Sequence, residues 1–434
     1  MLERGARLEA EQLFTWGVLL TVLSLIASGR FRIEIVALSG LLLLGITGVA
    51  PPNIVFSGYG HPALATIIAV FLVSQGIIDS GILRGLGQAL ARKWQSLKGQ
   101  IISISVTSAA LSALMNNVGA VGMMLPTAVR MASRSGSSPG SFGLPLAMAS
   151  ILGGTLTLIG SAPNIIIASY MFSVTGQSFK MFDFAPHGLA MLLTAFLIWV
   201  FCKFCGMEPG AVHLADTTEN GKDVQEPAIS WETIQLAPLA TRERQVTLFA
   251  ILLAVVAVSM GLIHPALGFG GAVLILILSG VLKPSSAYGG VDLKIVFFLG
   301  AMLGIGKILE YTGALEHLSL FLSRSTEGLS PFWLIVLLIF VSSFLSNAIN
   351  NSAAAVFMAP LAAGMAAGNN LHTAAALMAV AAGSNMTLLL PTHQASLMVM
   401  SRAPFSTVSF MRAGLVLSIC CGLAAAAVIL FVWQ

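Results

Sequence analysis

The sequence Leu111-Ser-Ala-Leu-Met-Asn-Asn-Val-Gly-Ala-Val-Gly-Met-Met-Leu-Pro126 has a second copy at Leu345-Ser-Asn-Ala-Ile-Asn-Asn-Ser-Ala-Ala-Ala-Val-Phe-Met-Ala-Pro360. In both copies a serine precedes an Asn-Asn pair by four residues, and a proline follows the second asparagine by nine. A shared spacing of this length indicates that the two segments are copies of one element. Each copy places two polar amides inside an apolar run, which makes both segments candidate functional sites.

The composition identifies the chain as a membrane protein. Of its 434 residues 57% are apolar and 9% are charged, and the mean hydropathy is +0.92. Soluble domains contain about 25% charged residues. We interpret the net charge of +4 as basic cytoplasmic loops and not as a nucleic-acid surface. The polar start at 1–11 has no signal-peptide cleavage pattern, so the first apolar run is predicted to be a retained span.

Ten apolar runs have a length suited to crossing a bilayer, which takes about 20 residues. They are 12–28, 32–50, 62–83, 142–171, 185–205, 246–264, 268–282, 293–312, 373–401 and 410–432. Two further stretches, 100–131 and 331–364, have lengths between those of one span and two. We predict that each is a re-entrant hairpin with its Asn-Asn pair at the tip. Such backbone is tolerated at membrane depth where it is buried or faces a water-filled cavity.

Basic residues and an internal repeat predict the topology. With the amino terminus outside, the inside loops carry sixteen basic residues and the outside loops carry four. Pro52 and Gly58 match Pro284 and Gly290 at an offset of 232, and the hairpins match at 234. We therefore predict two transmembrane repeats, 12–205 and 246–434, joined by a cytoplasmic linker at 206–245. Because five spans precede the boundary, the second repeat is predicted to be inverted, as in many secondary transporters.

The span after each hairpin is interrupted by small and polar residues. The interruption reads GGTLTLIGSAPN at 153–164 in the first repeat and GSNMTLLLPTHQ at 383–394 in the second. An unwound segment exposes carbonyl oxygens to a cation, and a restarted half-helix offers N–H groups and its positive dipole end to an anion. A glycine-proline kink satisfied by neighbouring helices is the alternative. Neither the hairpin cores nor the breaks contain an acidic residue, which argues against a buried carboxylate proton carrier.

These motifs and the repeated halves resemble the divalent anion/sodium symporter family of the ion transporter superfamily, over nearly the whole chain. The resemblance is greatest to bacterial permease-type members, although their central regulatory domains are missing here. It implies an all-α, elevator-type homodimer in which hairpin tips and breaks form two sodium sites and one substrate site. By position, the first implied sodium site comprises Ser112, Asn116, Asn117 and Gly160, and the second comprises Ser346, Asn350, Asn351 and the Leu390 carbonyl. The implied substrate site comprises Asn117, Val118, Ser161, Asn351, Ser352, Thr392 and His393.

Two departures from the family pattern concern the substrate. Val118 stands where the family has a threonine, and Pro391-Thr392-His393-Gln394 replaces Thr-Pro-Pro-Asn. We predict a transporter of the inner (plasma) membrane, and not an enzyme, that couples Na⁺ entry to uptake of a sulfate-like oxyanion or a di- or tricarboxylate. The alternative is a cation/proton antiporter or an arsenite-type exporter of the same superfamily. Those relatives typically have an aspartate beside the hairpin asparagine, where this chain has none.

Overall fold

The computed structural model describes residues 2–80, 82, 96–177, 179–201 and 241–434. These residues form nineteen α-helices and one short 3-10 helix, Phe56–Gly60. The first nine α-helices are α1 Leu2–Ala27, α2 Ile33–Ile46, α3 Pro52–Val55, α4 Pro62–Asp79, α5 Leu97–Leu114, α6 Asn117–Ser135, α7 Pro139–Gly153, α8 Ala162–Thr175 and α9 Ala185–Phe201. The others are α10 Thr241–Ser259, α11 Pro265–Leu278, α12 Pro284–Gly290, α13 Leu293–Tyr311, α14 Ala314–Ser325, α15 Pro331–Ala348, α16 Asn351–Gly368, α17 Thr373–Asn385, α18 Gln394–Arg402 and α19 Thr407–Trp433. Residues 206–240 of the predicted linker at 206–245 lie outside the described residues.

The helices have the length and surface of a multi-pass membrane protein. Within the described ranges, six helical stretches are long and apolar enough to span a bilayer: Ala10–Ala27, Pro52–Asp79, Leu97–Leu114, Pro331–Ala348, Asn351–Gly368 and Thr407–Trp433. Large apolar side chains cover much of the outside, with Leu278 77% exposed and Phe431 90% exposed. A surface this apolar marks an interaction site in water, whereas in a bilayer it meets lipid.

The internal repeat is visible in the helix boundaries. Helices α2 and α11 begin at 33 and 265 and end at 46 and 278, so both boundaries keep the offset that relates Pro52 to Pro284. Helices α5 and α15 begin at 97 and 331 and end at 114 and 348, which is the offset between the two Asn-Asn motifs. The offsets found in the sequence therefore also relate helices of equal length in the two halves. The inverted orientation of the second half stays a prediction.

Each hairpin is a pair of long helices joined at its asparagines. The first hairpin, 97–135, consists of α5 and α6, and the second hairpin, 331–368, consists of α15 and α16. The arms are 18 or 19 residues long, about 27 Å at a rise of 1.5 Å per residue. The expectation that these stretches are too short for two span-length helices was therefore wrong. The length of the arms therefore gives no evidence that the hairpins are re-entrant, and the re-entrant hairpin stays a prediction.

The sequence interpretation missed several helical segments. Helix α14 follows α13 directly, and its Leu315, Leu318 and Leu322 have the three- and four-residue spacing that indicates an amphipathic helix. Helix α1 begins at Leu2, so the polar start is helical and continuous with the first span. Neither segment is an uninterrupted apolar run of span length, so the pattern that predicts spans gives no signal for them.

The hairpins and the broken helices pack across the two repeats. Helix α6 of the first hairpin packs against α18, the half-helix that restarts after the second interruption. In the same way α16 of the second hairpin packs against α8, the half-helix that restarts after the first interruption. This exchange brings four helix ends together in the middle of the protein.

Candidate functional site

Both predicted helix interruptions are present. In the first break, 154–161, the chain leaves α7 at Gly153 and restarts at Ala162. In the second break, 386–393, it leaves α17 at Asn385 and restarts at Gln394. The two breaks have the same length, and their restart positions keep the offset that relates Pro52 to Pro284. They therefore occupy equivalent positions in the two halves.

The two hairpin tips and the two breaks line one cavity of about 150 Å³. It brings together all seven predicted substrate residues: Asn117, Val118, Ser161, Asn351, Ser352, Thr392 and His393. Ile67 and Phe71 of α4 and Phe298 of α13 contribute to an apolar wall. None of the described residues that line the cavity is Asp, Glu, Lys or Arg. A ligand there would meet amides, hydroxyls, one imidazole and helix ends.

Four helices of the hairpins and the breaks begin at this cavity. They are α6, α8, α16 and α18, and their first residues or N-caps belong to the lining. The start of a helix carries unsatisfied N–H groups and a partial positive charge, so it favours an anion. Four such ends around one small space provide positive potential without a basic side chain.

Three of these four helix starts are capped by their own side chains. The Asn116 Oδ1 accepts the Val118 N–H at 2.7 Å, and the Asn350 Oδ1 accepts the Ser352 N–H at 2.9 Å. At α18 the cap is His393, as described below. The exception is Ser161, whose buried hydroxyl has no hydrogen-bond partner in the described part of the chain. A buried hydroxyl without a partner in the wall of a cavity is available to a ligand.

The capping role of His393 determines which ring nitrogen can donate. Its Nδ1 accepts the backbone N–H of Ala395 at 3.1 Å. A neutral imidazole carries one proton, so an acceptor at Nδ1 requires that proton on Nε2. His393 lines the cavity and has one ring donor, at Nε2, and no acceptor left on its ring, which suits an anion and not a cation.

The first predicted sodium site is a cradle of oxygen atoms around two glycines. Ser112 Oγ donates to Asn117 Oδ1 at 2.7 Å. A Cβ atom on Gly160 would lie 2.6 Å from the Gly154 carbonyl oxygen and 3.0 Å from that of Ser112. A Cβ on Gly154 would collide with Asn117 Oδ1 and lie 2.9 Å from the Gly160 carbonyl oxygen. Four neutral oxygens thus lie close to these two glycines, neither of which has room for a methyl group, and unwound carbonyls of this kind coordinate Na⁺ in transporters.

The second predicted sodium site has the same serine-asparagine pair. Ser346 Oγ donates its single proton to the Ser384 carbonyl at 2.5 Å and lies 3.2 Å from Asn351 Oδ1. Leu390 is held beside this tip, because its N–H donates to Asn347 Oδ1 at 3.1 Å. The structure therefore places Ser346 and Asn351 in direct contact and ties Leu390 to α15, the helix that carries Ser346, through Asn347.

Four polar residues of this region were missed by the sequence analysis. Thr157 Oγ1 donates to the Ala113 carbonyl and accepts the Gly160 N–H at 3.1 Å. Asn347 accepts the N–H groups of Leu389 and Leu390, and Asn385 donates to Asn164 at 2.7 Å. All lie in the motifs quoted above, so a polar side chain in an apolar run was the available signal. Their partners could not be read from the sequence.

The chain has detectable similarity to known transporters. A family profile described as "Citrate transporter" (CitMHS) matches residues 23–383. An uncharacterized transporter, YfbS of Escherichia coli, is 27% identical over 198 residues, which are 45% of this chain and 32% of that protein. "Probable sodium/sulfate cotransporter 3" of Chlamydomonas reinhardtii is 30% identical over 154 residues, 34% of this chain and 17% of that protein. The chain thus matches about a third or less of the length of these two relatives.

Other relatives match nearly end to end. An uncharacterized transporter of Mycobacterium tuberculosis is 26% identical over 415 residues, 91% of this chain and 92% of that protein. Among solved structures, the YdaH transporter of Alcanivorax borkumensis superposes with a TM-score of 0.62 at 13% identity, covering 98% of this chain and 99% of that one. An identity this low supports a shared fold and nothing more specific.

Proposed function

Because the chain belongs to the citrate transporter (CitMHS) family of membrane transporters, we propose that it is a secondary active transporter that couples Na⁺ entry to the uptake of a small anion. Family membership and relatives named as sodium/sulfate cotransporters support anion transport. The observation that carries the proposal is the convergence of four helix N-termini on a cavity lined by neutral polar groups.

The oxygen cradle beside the first tip supports Na⁺ as the coupling ion. Ser112, Gly154, Gly160 and Asn117 each have an oxygen atom close to where a Cβ atom of Gly154 or Gly160 would lie. Asn117 also lines the cavity, so a bound cation would lie next to the anion. The positive charge of the cation would raise the affinity for the anion, and the anion would raise the affinity for Na⁺ to the same extent.

A compact oxyanion such as sulfate is the substrate that the cavity favours. The first tip places Val118, which offers no side-chain donor, where the second tip has Ser352. A site with donors mainly on one side suits a tetrahedral anion better than two separated carboxylates. A di- or tricarboxylate such as citrate, after which the family is described, is the competing substrate.

Transport by this chain would require the hairpins to move with the broken helices. Each hairpin packs on the half-helix of the other repeat, and this supports one moving unit that carries both tips and both breaks. We place this unit in an elevator-type homodimer in the plasma membrane, with re-entrant hairpins and the amino terminus outside. A cation/proton antiporter or arsenite-type exporter is disfavoured, because the described cavity lining contains no acidic side chain.

Uptake into proteoliposomes tests the proposal. An inward Na⁺ gradient should drive accumulation of radiolabelled sulfate, and collapse of a proton gradient should leave uptake unchanged. Parallel assays with succinate and citrate rank the substrates, and empty liposomes are the control. Full uptake in sodium-free buffer under a pH gradient would disprove Na⁺ coupling, whereas a preference for citrate would disprove only the compact-anion part.

A further inference from the structure

Two buried asparagines join the two breaks to each other. Asn385 is the last residue of α17, and Asn164 is the third residue of α8. The Asn385 Nδ2 donates to the Asn164 Oδ1 at 2.7 Å, and the two residues are 1% and 0% exposed. Neither belongs to the described lining of the cavity, so they have another role than direct contact with the substrate.

The orientation of both amides is determined by their other partners. Asn385 Nδ2 also donates to the Ala381 carbonyl at 2.9 Å. Asn164 Nδ2 donates to the Thr157 carbonyl at 2.8 Å and more weakly to the Gly154 carbonyl at 3.4 Å. Turning either amide over would bring its oxygen against another oxygen. The hydrogen bonds therefore form one connected network with a single arrangement.

Each end of this network reaches a predicted sodium site. On one side Asn164 holds the carbonyl of Gly154, which belongs to the oxygen cradle. On the other side Asn385 follows Ser384, whose carbonyl accepts the Ser346 hydroxyl, and the Ser346 Oγ also lies 3.2 Å from Asn351 Oδ1. Hydrogen bonds in a buried, low-dielectric environment strengthen one another and are costly to leave unmade.

We propose that the Asn164–Asn385 hydrogen bond couples the two sodium sites, so that Na⁺ bound at one raises the affinity of the other. A cation that holds the Gly154 carbonyl fixes Asn164, which orients Asn385 and with it the end of α17 that presents the Ser384 carbonyl. The effect is reciprocal, because coupling between two binding sites acts equally in both directions. This inference rests on the proposed Na⁺-coupled function.

Sodium titrations of the purified full-length protein test the coupling without substrate. Tryptophan fluorescence and calorimetry give the number of bound ions and the Hill coefficient. Wild type should bind Na⁺ with a Hill coefficient well above 1. Asn385→Leu and Asn385→Ser should lower it towards 1 and weaken binding of the second ion by about 5-fold or more, a typical size for coupling between sites.

A matched control separates coupling from loss of stability. Asn369 makes hydrogen bonds to Ser323, Thr326 and Met365 at the far end of α16, about 27 Å from the tip. Asn369→Leu should lower the melting temperature and leave the Hill coefficient unchanged. A wild-type Hill coefficient of 1 with two ions bound, or a folded Asn385 variant that keeps full cooperativity, overturns the coupling. Absence of any Na⁺ binding to wild type would instead overturn the proposed function.

Discussion

In both repeats the break donates hydrogen bonds to its hairpin, but the side chain in these bonds comes from a different element in each repeat. In the first repeat the break supplies the side chain, because Thr157 donates to the hairpin carbonyl of Ala113. In the second repeat the hairpin supplies it, because Asn347 accepts the N–H groups of Leu389 and Leu390 in the break. Ala113 and Asn347 are equivalent positions in the two copies of the Asn-Asn motif. One packing arrangement is thus maintained by two different sets of residues.

This difference indicates how each sodium site depends on its residues. Around the first break, backbone carbonyls approach Gly154 and Gly160 so closely that neither position has room for a methyl group. Around the second break, the polar groups come from the side chains of Ser346 and Asn347. The first site should therefore be most sensitive to added volume, and the second to removal of polar atoms.

Adding a methyl group to the first break should have the largest effect. In Gly160→Ala the new Cβ would lie 2.6 Å from the Gly154 carbonyl oxygen, inside the cradle. Overpacking at the site costs about 1–3 kcal/mol, and loss of an oxygen ligand costs about 1–3 kcal/mol more. With at least about 2 kcal/mol lost in total, we expect Na⁺ affinity to fall about 30-fold or more. The measurement is Na⁺-dependent uptake, with Gly271→Ala as the control because nothing lies within 4 Å of that position. Normal uptake by Gly160→Ala would contradict a cation site there.

Removing the polar atoms of Asn347 should have the next largest effect. Asn347→Ala leaves the N–H groups of Leu389 and Leu390 without their acceptor. An unsatisfied buried group costs about 1–3 kcal/mol, so we expect about 5- to 150-fold weaker binding of Na⁺. Thr157→Val, of similar shape, removes the corresponding brace of the first break. If Asn347→Ala and Thr157→Val gave equal Hill coefficients and weakened Na⁺ binding equally at both sites, the two braces would not have separate roles.

The positions of tips and breaks could be predicted from the sequence because they repeat. An Asn-Asn pair within an apolar run and glycines beside prolines are local signals, and their recurrence at offsets of 234 and 232 identifies them as functional elements. That Asn117, Ser161, Asn351 and His393 belong to one site was implied by the family resemblance, and the structure places all four in the lining of one cavity. Helix caps were predictable in type, although the sequence analysis assigned Asn116 and Asn350 to cation binding and not to capping.

The asymmetric contacts could not be predicted in the same way. Asn164 and Asn385 are not equivalent in the repeat, since the offset between the broken helices matches Asn164 to Ser396 and Asn385 to Gly153. Symmetry between the halves therefore gives no reason to pair them. Their contact depends on how α8 and α17 pack in three dimensions, which a single sequence does not contain.

Two substitutions of His393 separate the contribution of the second break to anion binding from its contribution to stability. His393→Ala removes both the cap on Ala395 and the Nε2 donor, whereas His393→Asn keeps an oxygen near the capping position and only shortens the reach of the donor, because the Asn amide ends closer to the backbone than Nε2 does. Loss of a cap costs about 1 kcal/mol of stability, and loss of a donor to a charged ligand costs about 1.5–3 kcal/mol of binding. We expect both variants to bind sulfate about 10- to 150-fold more weakly.

Only His393→Ala should also lower the melting temperature in detergent. A useful reference is His264→Ala, which removes the same kind of cap from Ala266 at a site outside the described cavity lining. If His393→Asn retained wild-type affinity for sulfate, the imidazole would be a cap and nothing more.

The smallest effect is expected at Val118, where the two tips differ most directly. The equivalent residue of the second tip is Ser352, and both line the cavity. Val118→Thr keeps the shape of the side chain and replaces a methyl group with a hydroxyl, so the first tip gains a donor at little steric cost. A new hydrogen bond contributes about 0.5–1.5 kcal/mol, which is about 2- to 10-fold in affinity.

This gain should favour a ligand long enough to reach both tips. We therefore expect Val118→Thr to improve competition by succinate against radiolabelled sulfate about 2- to 10-fold, with the apparent affinity for sulfate nearly unchanged. Val118→Ala is the matched control, because it enlarges the cavity without adding a donor. If Val118→Ala improved succinate binding equally, volume and not hydrogen bonding would limit the substrate. If wild type already preferred succinate, the missing donor at the first tip would not select a compact anion, and the proposal would reduce to Na⁺-coupled transport of a carboxylate.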